Sequence, residues 1–301
     1  MQQTERIGFI GLGDIGAPMA MRILDAGHPL RVFNRTAART APFVARGAPA
    51  AASPADLARS CDVILICVSN AASVDEVVFG PSGLASAGDP RHLVVDLSTI
   101  DPPATRAMAA RLRQCCGADW IDTPVSGGRA GARAGTLAVM AGGDAAQIDR
   151  ARPFLMSFAG RVTRMGPLGC GVATKACNQM LNFGTAAVIA ETLNFAARFG
   201  IDPSIIPDAV AGGFADSAVL RHFGKAMADG TYSGDSLMAM KDIDIVLDLG
   251  RSTGSAMPIT GLVASMFRLL IAQGHTTGGL GAPMRLYADG PLSTAGTDPA
   301  P

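Results

Sequence analysis

Arg6 to Gly27 reads RIGFIGLGDIGAPMAMRILDAG, and the order of its patterns sets the fold class. A short apolar run gives way to a glycine-rich turn, then to apolar residues at helical spacing (Met19, Ile23, Leu24) that close at Gly27. This is strand, tight turn and helix. Gly11, Gly13 and Gly16 fall at the G-x-G-x-x-G spacing within the turn. The first glycine permits the turn, the second lets the backbone approach a pyrophosphate, and the third allows close helix packing. Amides at the helix start face the phosphates. Gly11, Leu12, Gly13, Asp14, Ile15 and Gly16 are therefore the candidate dinucleotide-binding loop.

Working outward, PLRVFNR, CDVILICVS and HLVVDLS read as further strands, separated by helix-like segments. Such alternation implies βαβ units and a doubly wound, mostly parallel sheet of the Rossmann type. An NAD enzyme would present an acid to the ribose about twenty residues past the glycines. Here the chain has Asn34, Arg35 and Thr36 instead. A guanidinium without a neighbouring carboxylate suits a 2′-phosphate, so NADP(H) is favoured and NAD(H) stays possible. The plain alternative is a surface arginine at a strand end.

After roughly Gly166 the strand-like runs stop. Val172 to Phe199 is expected to form one helix of about 28 residues, near 42 Å long at 1.5 Å per residue. It carries no charge between Lys175 and Glu191, which predicts an element buried through the protein. Lys175, Asn178, Asn182 and Thr185 recur at helical steps and share one face. A buried ammonium needs either a carboxylate partner or a wet cleft that receives a ligand. On pattern alone, structural salt bridge and functional site stay equally open. Further helical segments follow, giving a dinucleotide-binding domain over 1–166, an all-helical domain over 167–290 built on the long helix, and a flexible tail over 291–301.

Composition narrows the partners. In 301 residues, Lys+Arg and Asp+Glu balance at 25 each and only 17% are charged, so no electrostatic footprint points to nucleic acid or an anionic membrane. No run of 18 apolar residues suggests a membrane span. The six cysteines lack paired metal-site spacing and read as reduced thiols, and the N-terminus lacks a leader pattern; a cytoplasmic protein is expected. The four histidines sit in unrelated settings, so no metal site is expected.

Five segments together resemble the β-hydroxyacid dehydrogenase family, which includes 3-hydroxyisobutyrate dehydrogenases and tartronate semialdehyde (2-hydroxy-3-oxopropionate) reductases. They are GFIGLGDIGAPMA at 8–20, DLSTI at 96–100, DTPVSGGRAGARAGTLAVMAGG at 122–143, GCGVATKACNQ at 169–179 and KDID at 241–244. The resemblance implies that Lys175 is the catalytic lysine, with Asn178 beside it positioning lysine or substrate. It implies that Ser126, Gly127 and Gly128 hold the carboxylate of a small substrate, and that Val68, Ser69, Thr99 and Lys241 contact the cofactor. It further implies a homodimer or homotetramer, with Gly212–Leu220 contributing to substrate choice. Two other readings compete. An imine reductase shares the architecture but usually lacks lysine at the position of Lys175, and a non-catalytic dinucleotide-binding scaffold would be expected to lose the lysine or the anion loop.

Overall fold

The computed structural model describes residues 5–288, so the tail expected over 291–301 lies outside the described residues. The chain divides into two compact units, the division falling after Lys175.

The first unit is built on one sheet. Its strands are β1 (Ile7–Ile10), β2 (Leu30–Phe33), β3 (Val63–Ile66), β4 (Leu93–Asp96), β5 (Asp119–Asp122), β6 (Val125–Ser126), β7 (Leu137–Gly142) and β8 (Ala159–Gly166). They lie in the order β2-β1-β3-β4-β5-β7-β6, with β8 beside β7. β1 to β5 are parallel, as the alternation of strands and helices requires. β7 instead runs antiparallel to both β5 and β6, and parallel to β8. Pro124, whose ring fixes φ and which has no N–H, follows β5 and stops it from extending.

The central strands IGFI, VILI and LVVD are buried at every position, whereas the edge strand β2 alternates buried and half-buried. Because side chains alternate across a pleated strand, successive residues enter different cores. Ile7, Phe9, Val63, Leu65, Leu93 and Val95 pack in one cluster. Ile10, Ile64, Ile66, Val94 and Trp120 pack in the other. A sheet with apolar cores on both faces is what doubly wound means physically.

The long helix spans Cys170–Phe199, 30 residues, so it begins two residues before the expected start. Beyond Lys175 it belongs to the second unit, with the helices Ser236–Thr253 and Pro258–Ala272. Phe183 and Ala187 pack with Ile243, Val263 and Phe267, while Ala186, Ile189 and Leu193 pack with Leu220 and Met227. Within this chain the helix is less buried than its lack of charge predicts. Leu181, Val188 and Phe195 are 72%, 59% and 64% exposed, at seven-residue spacing. Two sides of the helix are covered by its own unit and a third is not, and absence of charge marks all three alike. Among the described residues no helix is long and apolar enough to cross a membrane.

Leu65 is almost fully buried in the middle of β3. Leu65→Ala is expected to cost about 2–5 kcal/mol through lost burial and a residual cavity. A urea titration checks this, and an unchanged midpoint would contradict the assigned core.

Candidate functional site

The parallel strands end together. Phe33, Ile10, Ile66, Asp96 and Asp122 are register partners across β2, β1, β3, β4 and β5. The residues that follow them, Asn34, Gly11, Cys67, Leu97 and Thr123, therefore emerge along one edge, the carboxyl end where open α/β sheets bind ligands. Backbone bonds continue past the strands: Gly11 N donates to Phe33 O at 3.1 Å, Cys67 N to Ile10 O and Leu97 N to Ile66 O at 2.8 Å, and Thr123 N to Asp96 O at 2.7 Å. The edge is held by main chain before any side chain contributes.

At the first turn the three glycines do different things. Gly11 has φ +97, and a Cβ there would lie 2.0 Å from the carbonyl oxygen of Cys67. A Cβ on Gly16 would lie 1.9 Å from Gly11 O, so that glycine lets the helix Gly16–Asp25 sit against the turn. Gly13 meets no such constraint, its nearest neighbour being the Arg39 guanidinium at 3.8 Å. The protein's own packing does not require glycine at 13, and its absence of a side chain leaves the backbone bare, as close approach of a pyrophosphate would need. The loop thus fits a dinucleotide.

Asn34 braces this turn. Its Oδ1 accepts from Leu12 N at 2.9 Å and its Nδ2 donates to Thr36 O at 2.9 Å. Arg35 and Thr36 are exposed immediately beyond. Arg39, which carries no motif and was not distinguished in the sequence, donates from Nη1 to Leu12 O at 3.3 Å, which places a second guanidinium beside the glycine turn.

Val68 and Ser69 follow β3, and Thr99 follows β4. Ser98 joins these two ends: its Oγ accepts from Val68 N at 3.1 Å, while its N donates to Asp96 Oδ1 at 2.9 Å. Burial pushes the Asp96 carboxyl up to about 7, against the pull of the hydrogen bonds from Ser98. Burial also pushes the Cys67 thiol up to about 12, so it is no nucleophile at neutral pH.

Past β5, Val125 and Ser126 form β6, and Gly127 and Gly128 follow with φ +128 and +62. Both conformations favour glycine, and Gly128 has nothing within 4 Å of where a Cβ would be. The next residue, Arg129, pairs with Asp14 of the glycine-rich turn, which ties the two loops together across 115 residues of sequence. Lys175 is buried, on the second turn of the long helix.

Other expected residues lie in the second unit. Asn178 Nδ2 donates to Gln179 Oε1 at 2.9 Å, and Asn182 Nδ2 to the same oxygen at 3.3 Å. Gln179 Nε2 in turn donates to Asp242 Oδ2 at 2.7 Å, and Asp242 pairs with Lys241 at 3.2 Å. The polar stripe read from the sequence is therefore tied through Gln179 to the KDID segment, a link that helical spacing alone does not reveal.

With this geometry described, comparison with known proteins is specific. The model of the NAD binding domain of 6-phosphogluconate dehydrogenase matches residues 6–166, and that of the NAD-binding domain of NADP-dependent 3-hydroxyisobutyrate dehydrogenase matches residues 169–287. A 2-hydroxy-3-oxopropionate reductase of Escherichia coli is 34% identical over 89% of this chain and 92% of that protein. An NAD-dependent L-serine dehydrogenase of Pseudomonas aeruginosa is 32% identical over 94% of this chain and 98% of its own length. The solved structure of Mycobacterium tuberculosis 3-hydroxyisobutyrate dehydrogenase with L-serine superposes with a TM-score of 0.84 at 27% identity, covering 95% of this chain and 100% of that one. A Streptomyces aurantiacus imine reductase, at 21% identity and TM-score 0.63 over 94% and 99% of the two chains, shares the fold alone. A nicotinamide dinucleotide fold in the first unit, a matched helical partner in the second and relatives aligned along nearly the full chain converge: the chain belongs to the β-hydroxyacid dehydrogenase family.

Proposed function

We propose that the protein interconverts a small β-hydroxyacid and its semialdehyde or keto acid, with Lys175 as general acid and base. The carrying observation is a buried lysine at the start of the long helix, in the same compact unit as the glycine turn and the Ser126–Gly128 loop. When bound, the nicotinamide supplies or accepts the hydride. In the oxidation direction Lys175 Nζ takes the proton of the substrate hydroxyl; in reduction it returns that proton to the developing alkoxide. Ser126 and the amides of Gly127 and Gly128 form the anion-binding concavity for the substrate carboxylate. Asn178, held by Gln179, positions substrate or lysine, and Lys241 contacts the cofactor.

Gly11 to Gly16 hold the pyrophosphate, and Val68, Ser69 and Thr99 contact the cofactor. We favour NADP(H), with Arg35 on the 2′-phosphate and Asn34 and Thr36 shaping the turn. The chemistry of a bidentate guanidinium at the end of β2 supports this. The same reading assigns 1–166 and 167–290 as cofactor and substrate domains, places the protein in the cytoplasm, and makes it a homodimer or homotetramer. The exposed Leu181, Val188 and Phe195 support self-association, since large apolar side chains left uncovered at a regular spacing along one helix favour a partner.

Following nicotinamide absorbance against a panel of small aldehyde acids, Lys175→Ala is expected to lose at least about 10²–10⁴-fold in kcat. NADPH binding by fluorescence should survive. Full activity in the variant would refute the lysine's role. Arg35→Ala should raise KM for NADPH far more than for NADH, and equal effects would remove the 2′-phosphate assignment. Val188→Asp combined with Phe195→Asp is expected to dissociate the oligomer in sedimentation velocity; an unchanged mass would exclude this stripe as the interface.

A further inference from the structure

Asp122 ends β5, is fully buried and belongs to none of the roles above. Its two oxygens are divided between two backbone amides nearly fifty residues away. Oδ1 accepts from Gly169 N at 2.8 Å and Oδ2 from Val172 N at 2.7 Å. Those amides belong to the start of the long helix, where N–H groups have no intrahelical acceptor and the helix dipole favours negative charge. The residue preceding the helix is Gly169, with φ +92 and no side chain, so it cannot cap the helix itself. The cap is delivered from a strand.

Space has been left for it on two other elements. A Cβ on Gly142 of β7 would lie 2.4 Å from Asp122 Oδ1, and one on Gly171 would lie 2.7 Å from Oδ2 and 2.4 Å from Met140 O. Strand, sheet neighbour and helix start thus close around one carboxylate. Val172 is one helical turn before Lys175, and Asp122 is four residues before Ser126, with the rigid Pro124 between.

We propose that Asp122 is a positioning residue: its carboxylate fixes the helix start that carries Lys175 against the strand end that leads into the Ser126–Gly128 loop. It thereby sets the place of the ammonium relative to the substrate anchor. This rests on the reading of Lys175 given above. Two hydrogen bonds to the carboxylate, one from the residue that precedes the helix and one from its first turn, fix both the depth and the rotation of the helix start, which a single capping hydroxyl would not.

Asp122→Asn keeps the volume but sets an NH2 against a backbone N–H. Misplacing a proton-transfer group by an ångström costs up to about 10²-fold, so kcat is expected to fall about 10- to 100-fold. KM for the acid should change less, and NADPH binding and the circular dichroism spectrum should be unchanged. The deciding arm is the double variant with Lys175→Ala. If Asp122 acts through the lysine, Asp122→Asn adds no further loss there; an equal loss in both backgrounds would make it merely structural and overturn the proposal. Val172→Pro, at the third residue of the helix, removes one of the two donors without breaking an intrahelical bond, and should give a smaller kcat loss with the same non-additivity. Loss of folding in both variants would assign the carboxylate to stability and likewise overturn it. An inactive Lys175→Ala beside a wild-type-like Asp122→Asn would sink the positioning role alone, whereas a fully active Lys175→Ala would sink both readings.

Discussion

Five parallel strands that end in one register are the constraint on which the site depends. Each of β1, β3 and β4 is only four residues long and buried on both faces. A one-residue slip in any of them would exchange its side chains between the two cores. Burial on both faces therefore fixes the register, and the register fixes which residues follow the strand ends. The glycine turn, Val68, Thr99 and the Asp122 carboxylate are brought together by hydrophobic packing that never touches a ligand.

Much of this was readable from residue types. The glycine fingerprint, the apolar runs of β1 to β4 and the end of strand structure at Gly166 all carry strong local signals, because two-sided burial leaves continuous apolar stretches. β5, β6 and β8 do not. DWID includes two acids, VS is two residues long, and AGRVTRMG is mostly exposed and carries two arginines. Their strand character comes from pairing partners distant in sequence, as does the reversal of β7. Similarly, the long helix was legible in length but not in environment, since an apolar side facing its own core and an apolar side left uncovered have the same composition.

The candidate site divides in the same way. Lys175, the glycines and the SGG loop stand out because glycine and buried charge are costly unless used. The residues that hold them in place do not stand out. Asn34 looks like a cofactor ligand in sequence, and in the fold its amide also bonds main chain at both ends, to Leu12 of the turn and to Thr36. Ser98, Gln179 and Asp122 are ordinary polar residues until tertiary contacts show what each one holds. A pattern can reveal a reactive group; its supports are three-dimensional facts.

The placement of the unit boundary bears on how such enzymes can be recombined. The family models separate at residues 166 and 169, whereas the compact units separate after Lys175. The intervening stretch carries the lysine, yet its amides answer to a carboxylate on β5. A chimera joined at the family border would inherit its lysine from one parent and the carboxylate that bonds the start of the lysine's helix from the other. Crossovers placed a few residues later, within the helix, would keep that pair in common ancestry while still exchanging the helical half.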